Sequence, residues 1–326
     1  MRILCPDKMP SGIECVTPFS AREITHAFHD IDGTHSLIRN WVPVMTLCTG
    51  FASHCPWDEN ITVPELTRLI SGHSPEEYEE ANRFSIESAG LSALTQMEWG
   101  IRNAIANGVR TIKGTTPAVN RRIIQRIWKG EELFDDEPET PDFRAVITAL
   151  SDKLFRAYEV LLLQMGRDQN LAEAKRHPDA WRVPGSMGFL AYLRDHGVKN
   201  YFVTGAVIEY DAQGHPFGTM LDEVLALGYE IGPGRLIEKL VGSTWNEKLP
   251  KEQIMLNICK SEGISPHSVL VVGDGRSEIS AGVKMGAVTI SRLHKEAVRA
   301  REIHTALHTN LIIEQYDKPL YSKILV

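Results

Sequence analysis

Hydrophobic and polar positions along this chain follow one pattern at both ends and another in the middle. Near the N-terminus, Ile24-Thr-His-Ala-Phe-His-Asp-Ile31 reads as a short apolar strand that runs into a turn at Gly33. From Cys48 to Arg182 no comparable strand run appears, and the signals are helical. Ser74-Pro-Glu-Glu77 supplies an N-cap, a first-turn proline and acidic residues that suit the helix dipole. Asn107-Gly108 closes the next helix. Thr116-Pro117 opens another that runs through Arg121, Ile124, Ile127 and Trp128 to Gly130, and Thr140-Pro141-Asp142 starts a long one reaching about Met165. The acidic stretch between them, Glu131 to Asp142, reads as a solvated loop.

Strand and helix then alternate again. A helix from Met187 to Asp195 ends at His196-Gly197 and feeds a strand from Asn200 to Val203. A second helix, Lys251 to Gly263, feeds Val269 to Val272, an uninterrupted apolar run of the kind covered on both faces. A helix from Ala281 to Met285, a strand from Ala287 to Ile290 and a last edge strand, Asn310 to Ile313, complete the series. The predicted fold class is α/β: an open, doubly wound parallel sheet, Rossmann-like, built from residues 1–47 and 183–326. Residues 48–182 form an inserted all-helical domain. Ligands of such sheets bind at the carboxyl ends of the strands.

Composition narrows the function. The chain has 326 residues, 43% hydrophobic and 24% charged, enough for two domains with cores. Its net charge of −7 argues against a polymeric nucleic acid or an anionic membrane as partner. Cys5, Cys15, Cys48, Cys55 and Cys259 lack paired zinc or redox spacing, so reduced thiols and a cytoplasmic setting are expected, with Cys48 and Cys55 as small buried residues. No segment has the length of a signal peptide core or a membrane span.

Asp30 and Asp32 beside one glycine turn suit metal-assisted phosphoryl chemistry. Three further elements follow in order: Thr204-Gly205 after Tyr201-Phe-Val, Lys248 in Asn246-Glu-Lys-Leu-Pro250, and Gly-Asp274-Gly-Arg-Ser-Glu278 after Val269-Leu-Val-Val. This ordered set resembles the haloacid dehalogenase superfamily, most of whose members are phosphohydrolases. The resemblance implies Asp30 as nucleophile and Asp32 as general acid and base. It implies Mg2+ held by Asp30, the backbone carbonyl of Asp32 and Asp274, with Glu278 in support. Thr204, with Gly205, would bind a phosphoryl oxygen, and Lys248 would neutralise charge, a task Lys251 could take instead. An aspartate at position 32 favours phosphate esters over dehalogenation. The helical insertion resembles a cap domain, which points to a small phosphorylated metabolite as substrate.

Several residues stand outside that pattern. His29 and His35 occupy positions where the family has apolar residues. Strand alternation turns His29 away from Asp30, and His35 opens the turn into the next segment. His304 and His308 have helical metal-pair spacing but nothing nearby completes a site, so they are expected on the surface. Gly273 and Gly275 permit a turn. In the insertion, Arg110-Thr-Ile-Lys113-Gly-Thr-Thr-Pro117 combines cations, hydroxyls and a helix N-terminus, which makes Lys113 a candidate substrate-binding residue or part of a plain interhelical loop. The leading expectation is a Mg2+-dependent phosphatase working through an aspartyl-phosphate. A phosphotransferase or phosphomutase with the same intermediate, and a non-catalytic binding module, are the alternatives.

Overall fold

The computed structural model describes residues 1–5, 9–244, 249–317 and 323–326. The described chain separates into two compact units, residues 1–38 with 170–326, and residues 39–169. The boundary read at residue 48 falls inside a helix, Trp41–His54.

The first unit is built on a seven-stranded sheet. Its strands are β1 (Ile13–Cys15), β2 (His26–His29), β3 (Lys199–Val207), β4 (Lys239–Ser243), β5 (Val269–Gly273), β6 (Val288–Arg292) and β7 (Leu311–Ile313), in the spatial order β1-β7-β6-β5-β2-β3-β4. All neighbours are parallel except β1 and β7. The chain leaves β2 toward β3 and β4, then returns to the other side of β2 with β5, so strand order reverses at β2. A ligand crevice opens at such a reversal, beyond the carboxyl ends. Strand alternation sorts the core. Phe28, Val269 and Val271 pack with Ile254, Met255 and Ala281 on one face, while Ala27, Leu270 and Val272 pack with Val183, Phe189 and Leu193 on the other.

Three sequence expectations need correction in this unit. β7 is not an edge, because β1, too short to leave a periodic signal, pairs with it antiparallel and covers it. The strand read as Asn200 to Val203 continues to Val207 with a register shift after Val203, so Thr204 and Gly205 lie within an irregular stretch of β3. The helix read from Ala281 begins at Arg276, directly after the Gly-Asp-Gly turn.

The second unit is helical. Thr116 and Thr140 cap the helices Pro117–Trp128 and Pro141–Leu162 as predicted, each hydroxyl accepting a backbone N–H at 3.2 Å, from Val119 and Phe143. Ser74-Pro-Glu-Glu77 instead forms one 3-10 turn before the helix Glu79–Glu87. The long helix passes into a π turn, Leu163–Arg167. All five cysteines are free. Cys48 is buried as expected, whereas Cys55 is partly exposed, its Sγ 3.8 Å from the Tyr78 hydroxyl. No described helix is long and apolar enough to cross a membrane.

Candidate active site

Asp30 follows β2 directly, and its N–H donates to Val272 O of β5 at 2.9 Å, which fixes the nucleophile candidate beside the neighbouring strand end. Asp274 reaches the same point from the turn after β5, and Glu278 from the first turn of the helix Arg276–Met285 that follows. Carboxylate oxygens of Asp30, Asp274 and Glu278 all lie within 4.8 Å of one another. Lys251, the first residue of the helix Lys251–Glu262, is buried and bridges them: its Nζ donates to Asp30 Oδ1 at 2.7 Å and to Glu278 Oε2 at 2.9 Å. Glu278 also accepts from Gly275 N at 2.5 Å through Oε1, so it caps its own helix and joins the cluster.

Three carboxylates face one ammonium, and the excess negative charge shows in the acidities of Asp274 and Glu278. Asp274 keeps some solvent exposure as a residue. Its carboxyl is nonetheless pushed well above the usual carboxylate range by desolvation, then by the Asp30 and Glu278 charges. Burial raises Glu278 to about 7, against the opposing pull of Lys251. Burial draws Lys251 down, but Asp30 and Glu278 outweigh it and hold the ammonium charged above its ordinary value. A cluster of hard oxygen donors that resists full ionisation with one ammonium alone fits a hard divalent cation such as Mg2+.

The turn between Asp30 and Ser36 is tied down from several sides. Thr34 Oγ1 donates to Asp274 Oδ1 at 2.8 Å, and Arg292 Nη1 donates to Gly33 O at 2.9 Å. Gly33 has φ +77° and its α-carbon lies so close to Asp274 that any Cβ would overlap the carboxylate. Neither Thr34 nor Arg292 was singled out from sequence, and only the partner of each, far along the chain, reveals its part.

The chain is similar over 93% of its length to a predicted phosphatase from Clostridium acetobutylicum, covering 99% of that chain at 14% identity with a TM-score of 0.51. The chain has the haloacid dehalogenase fold. It is also similar to a phosphonoacetaldehyde hydrolase-like protein from Oleispira antarctica, with 13% identity, 99% and 96% of the two chains covered and a TM-score of 0.49. A β-phosphoglucomutase from Clostridium difficile gives 11% identity, 92% and 95% coverage and a TM-score of 0.44. No protein-family model and no curated protein matches the sequence.

In this haloacid dehalogenase fold the remaining expected residues distribute as follows. Asp32 is half-buried in the turn. Phe202 pairs with His29, so Thr204 lies on β3 beyond the end of β2, where its hydroxyl is buried and accepts from Ala206 N at 3.1 Å; Gly205 is half-buried beside it. Lys248 lies outside the described residues, and Lys251 is the lysine described at the carboxylates. Lys113 is exposed in the helical unit, on a cavity of about 510 Å³ shared with Trp57, Arg110 and Asp142. Trp57 lies past the end of the helix Trp41–His54 and Asp142 at the start of Pro141–Leu162. His308 is exposed, but His304 is buried and its Nδ1 lies 2.8 Å from Ser291 Oγ, because its helix packs that face onto β6. Desolvation lowers His304 to about 4 despite a hydrogen bond with the Asp274 backbone.

Proposed function

We propose that this chain is a Mg2+-dependent phosphohydrolase that removes phosphate from a small organic phosphate ester through an aspartyl-phosphate on Asp30. The observation that carries this reading is the Asp30–Asp274–Glu278 cluster with Lys251 across it, at the point where strand order reverses. Asp30, Asp274, Glu278 and the Asp32 carbonyl are the residues that would hold the cation. When bound it would neutralise phosphoryl oxygens and allow an anionic nucleophile to approach an anionic substrate.

The Asp30 carboxylate attacks phosphorus, and the bond from phosphorus to the ester oxygen breaks. Asp32 gives its proton to that leaving oxygen. Asp32 then takes a proton from water, which attacks the same phosphorus, breaks the bond to Asp30 and releases inorganic phosphate. Lys251 holds Oδ1 of Asp30 and balances charge on the transferred group, a task Lys248 would share. Thr204 and the Gly205 backbone offer hydrogen bonds to phosphoryl oxygens.

The helical unit is the proposed cap that selects substrate, with Lys113 its candidate anion-reading residue. A panel of phosphate esters assayed with Mg2+ and with chelator tests the reading: Mg2+-dependent release of inorganic phosphate supports it. Phosphoryl transfer to an added sugar phosphate without phosphate release replaces it with a phosphotransferase or mutase. Silence across the panel leaves a binding module.

A further inference from the structure

The turn that carries Asp30 and Asp32 begins after one buried histidine and ends at another. His29 and His35 have no exposed surface, and their rings meet: His35 Nε2 lies 3.1 Å from His29 Nδ1. His29 Nε2 lies 3.2 Å from Asn200 Oδ1, and His35 Nδ1 lies 2.7 Å from Ser186 Oγ. Proton positions along this chain of groups are fixed by its far end. Asn200 Nδ2 already donates to Leu190 O at 2.9 Å and Leu236 O at 3.1 Å, so its Oδ1 must accept. His29 therefore donates through Nε2 and accepts at Nδ1. His35 in turn donates through Nε2, and Ser186 donates to His35 Nδ1.

Both rings are fully buried and each ring nitrogen meets one partner, so one proton per ring satisfies this one-directional arrangement. Packing fixes the second ring as well: His35 stacks on Tyr316 at 5.1 Å with 2° between the planes. Tyr316 donates to Thr34 O at 3.0 Å, and the single Tyr229 hydroxyl proton faces both Ser186 Oγ at 2.6 Å and His35 O at 3.1 Å, so the far side of the ring is held too.

We infer that His29 and His35 are positioning residues that close the Asp30–Thr34 turn on itself and so fix Asp32 relative to Asp30. The inference rests on the proposed reaction. Backbone bonds from Thr34, His35 and Ser36 to Ile31 O already shape the turn, and the ring bond adds a directional tie between the side chains that flank it, which an apolar pair of the same volume would lack. A small misplacement of an acid relative to its nucleophile is costly in rate.

The test compares His35→Phe, which keeps the stack on Tyr316 and loses both ring hydrogen bonds, with His35→Gln, whose amide can still donate to His29. Steady-state kinetics on p-nitrophenyl phosphate with Mg2+ are read beside melting temperature. The expected result for His35→Phe is a fall in kcat of at least about tenfold with KM and melting temperature little changed, and substantial recovery of kcat in His35→Gln. Imidazole 15N NMR of the parent protein should show both rings as Nε2–H tautomers, a readout that needs no turnover. An active parent with His35→Phe within twofold of it overturns the inference alone, as does the opposite tautomer in either ring. So does a loss of kcat that only follows loss of fold and is not recovered in His35→Gln. A parent inactive across the whole phosphoester panel overturns the proposed reaction and this inference with it.

Discussion

Asp30 and Lys251 carry the sharpest residue-scale expectations. Asp30→Asn keeps the volume of the nucleophile and a partner for Lys251, so turnover should fall at least about a thousandfold while the melting temperature barely moves; parent-like kcat would remove Asp30 from the nucleophile role. Lys251→Met leaves Asp30 and Glu278 buried without their counter-charge and should cost about 3 kcal/mol in metal-free protein, checked by urea unfolding. Mg2+ should restore part of that loss. The acidity of Glu278 gives a pH signature. Its folded-state value, about 7, exceeds the ordinary 4.5, so the folded protein holds the extra proton. Its contribution is fully present below pH 4.5 and is lost as pH rises through 7. Buried neutral His29, His35 and His304 act in the opposite sense as their unfolded forms titrate around 6.5, and together they offset Glu278 up to about pH 7.5. Mg2+ competes with protons for the Glu278 and Asp274 carboxyls but not for the histidines, so the rise in melting temperature on adding saturating Mg2+ should grow between about pH 6.5 and 8. A Mg2+-induced rise in melting temperature that is the same across that window would contradict the cluster's excess charge.

At the scale of elements, the turns matter more than the helices and strands they join. Gly33→Ala places a side chain at φ +77° and against the Asp274 carboxylate, so it should cost about 1–2 kcal/mol in backbone strain and displace a metal-binding group. Isothermal titration with Mg2+ should show weaker binding than in the parent; unchanged affinity would mean Asp274 is not a ligand. Caps were legible because a threonine followed by proline acts locally, as at Thr116 and Thr140. Ser74 carries the same local signal but yields only a 3-10 turn, with Tyr78 buried at its end before the next helix starts. Local chemistry marked the place where a helix could begin and not how far it ran.

On the scale of the whole molecule, the two units invite separate tests. Lys113→Ala should change relative rates among phosphate esters with different leaving groups while leaving p-nitrophenyl phosphate turnover within about twofold. Unaltered preferences would remove Lys113 from substrate reading. The switch in strand order at β2 places Asp30 beside the turn after β5 although 244 positions separate Asp30 from Asp274 in numbering. A nucleophile candidate and a metal-ligand candidate so far apart meet only because parallel strands share one end.

The sequence by itself determined the α/β class, the helical character of the middle of the chain and the identity of three acids that meet, Asp30, Asp274 and Glu278. Each of these rests on a local signal: apolar runs of strand length, cap residues, and acids beside a glycine turn. Tertiary structure decided what depends on long-range pairing. It set β1 against β7, brought Lys251 to Asp30, aimed Thr34 at Asp274, buried His304 and joined His29 to His35 through their rings. The physical reason is common to all five: a side chain's partner is set by which strands and helices pack together, and neither periodicity nor spacing along the chain records that distance.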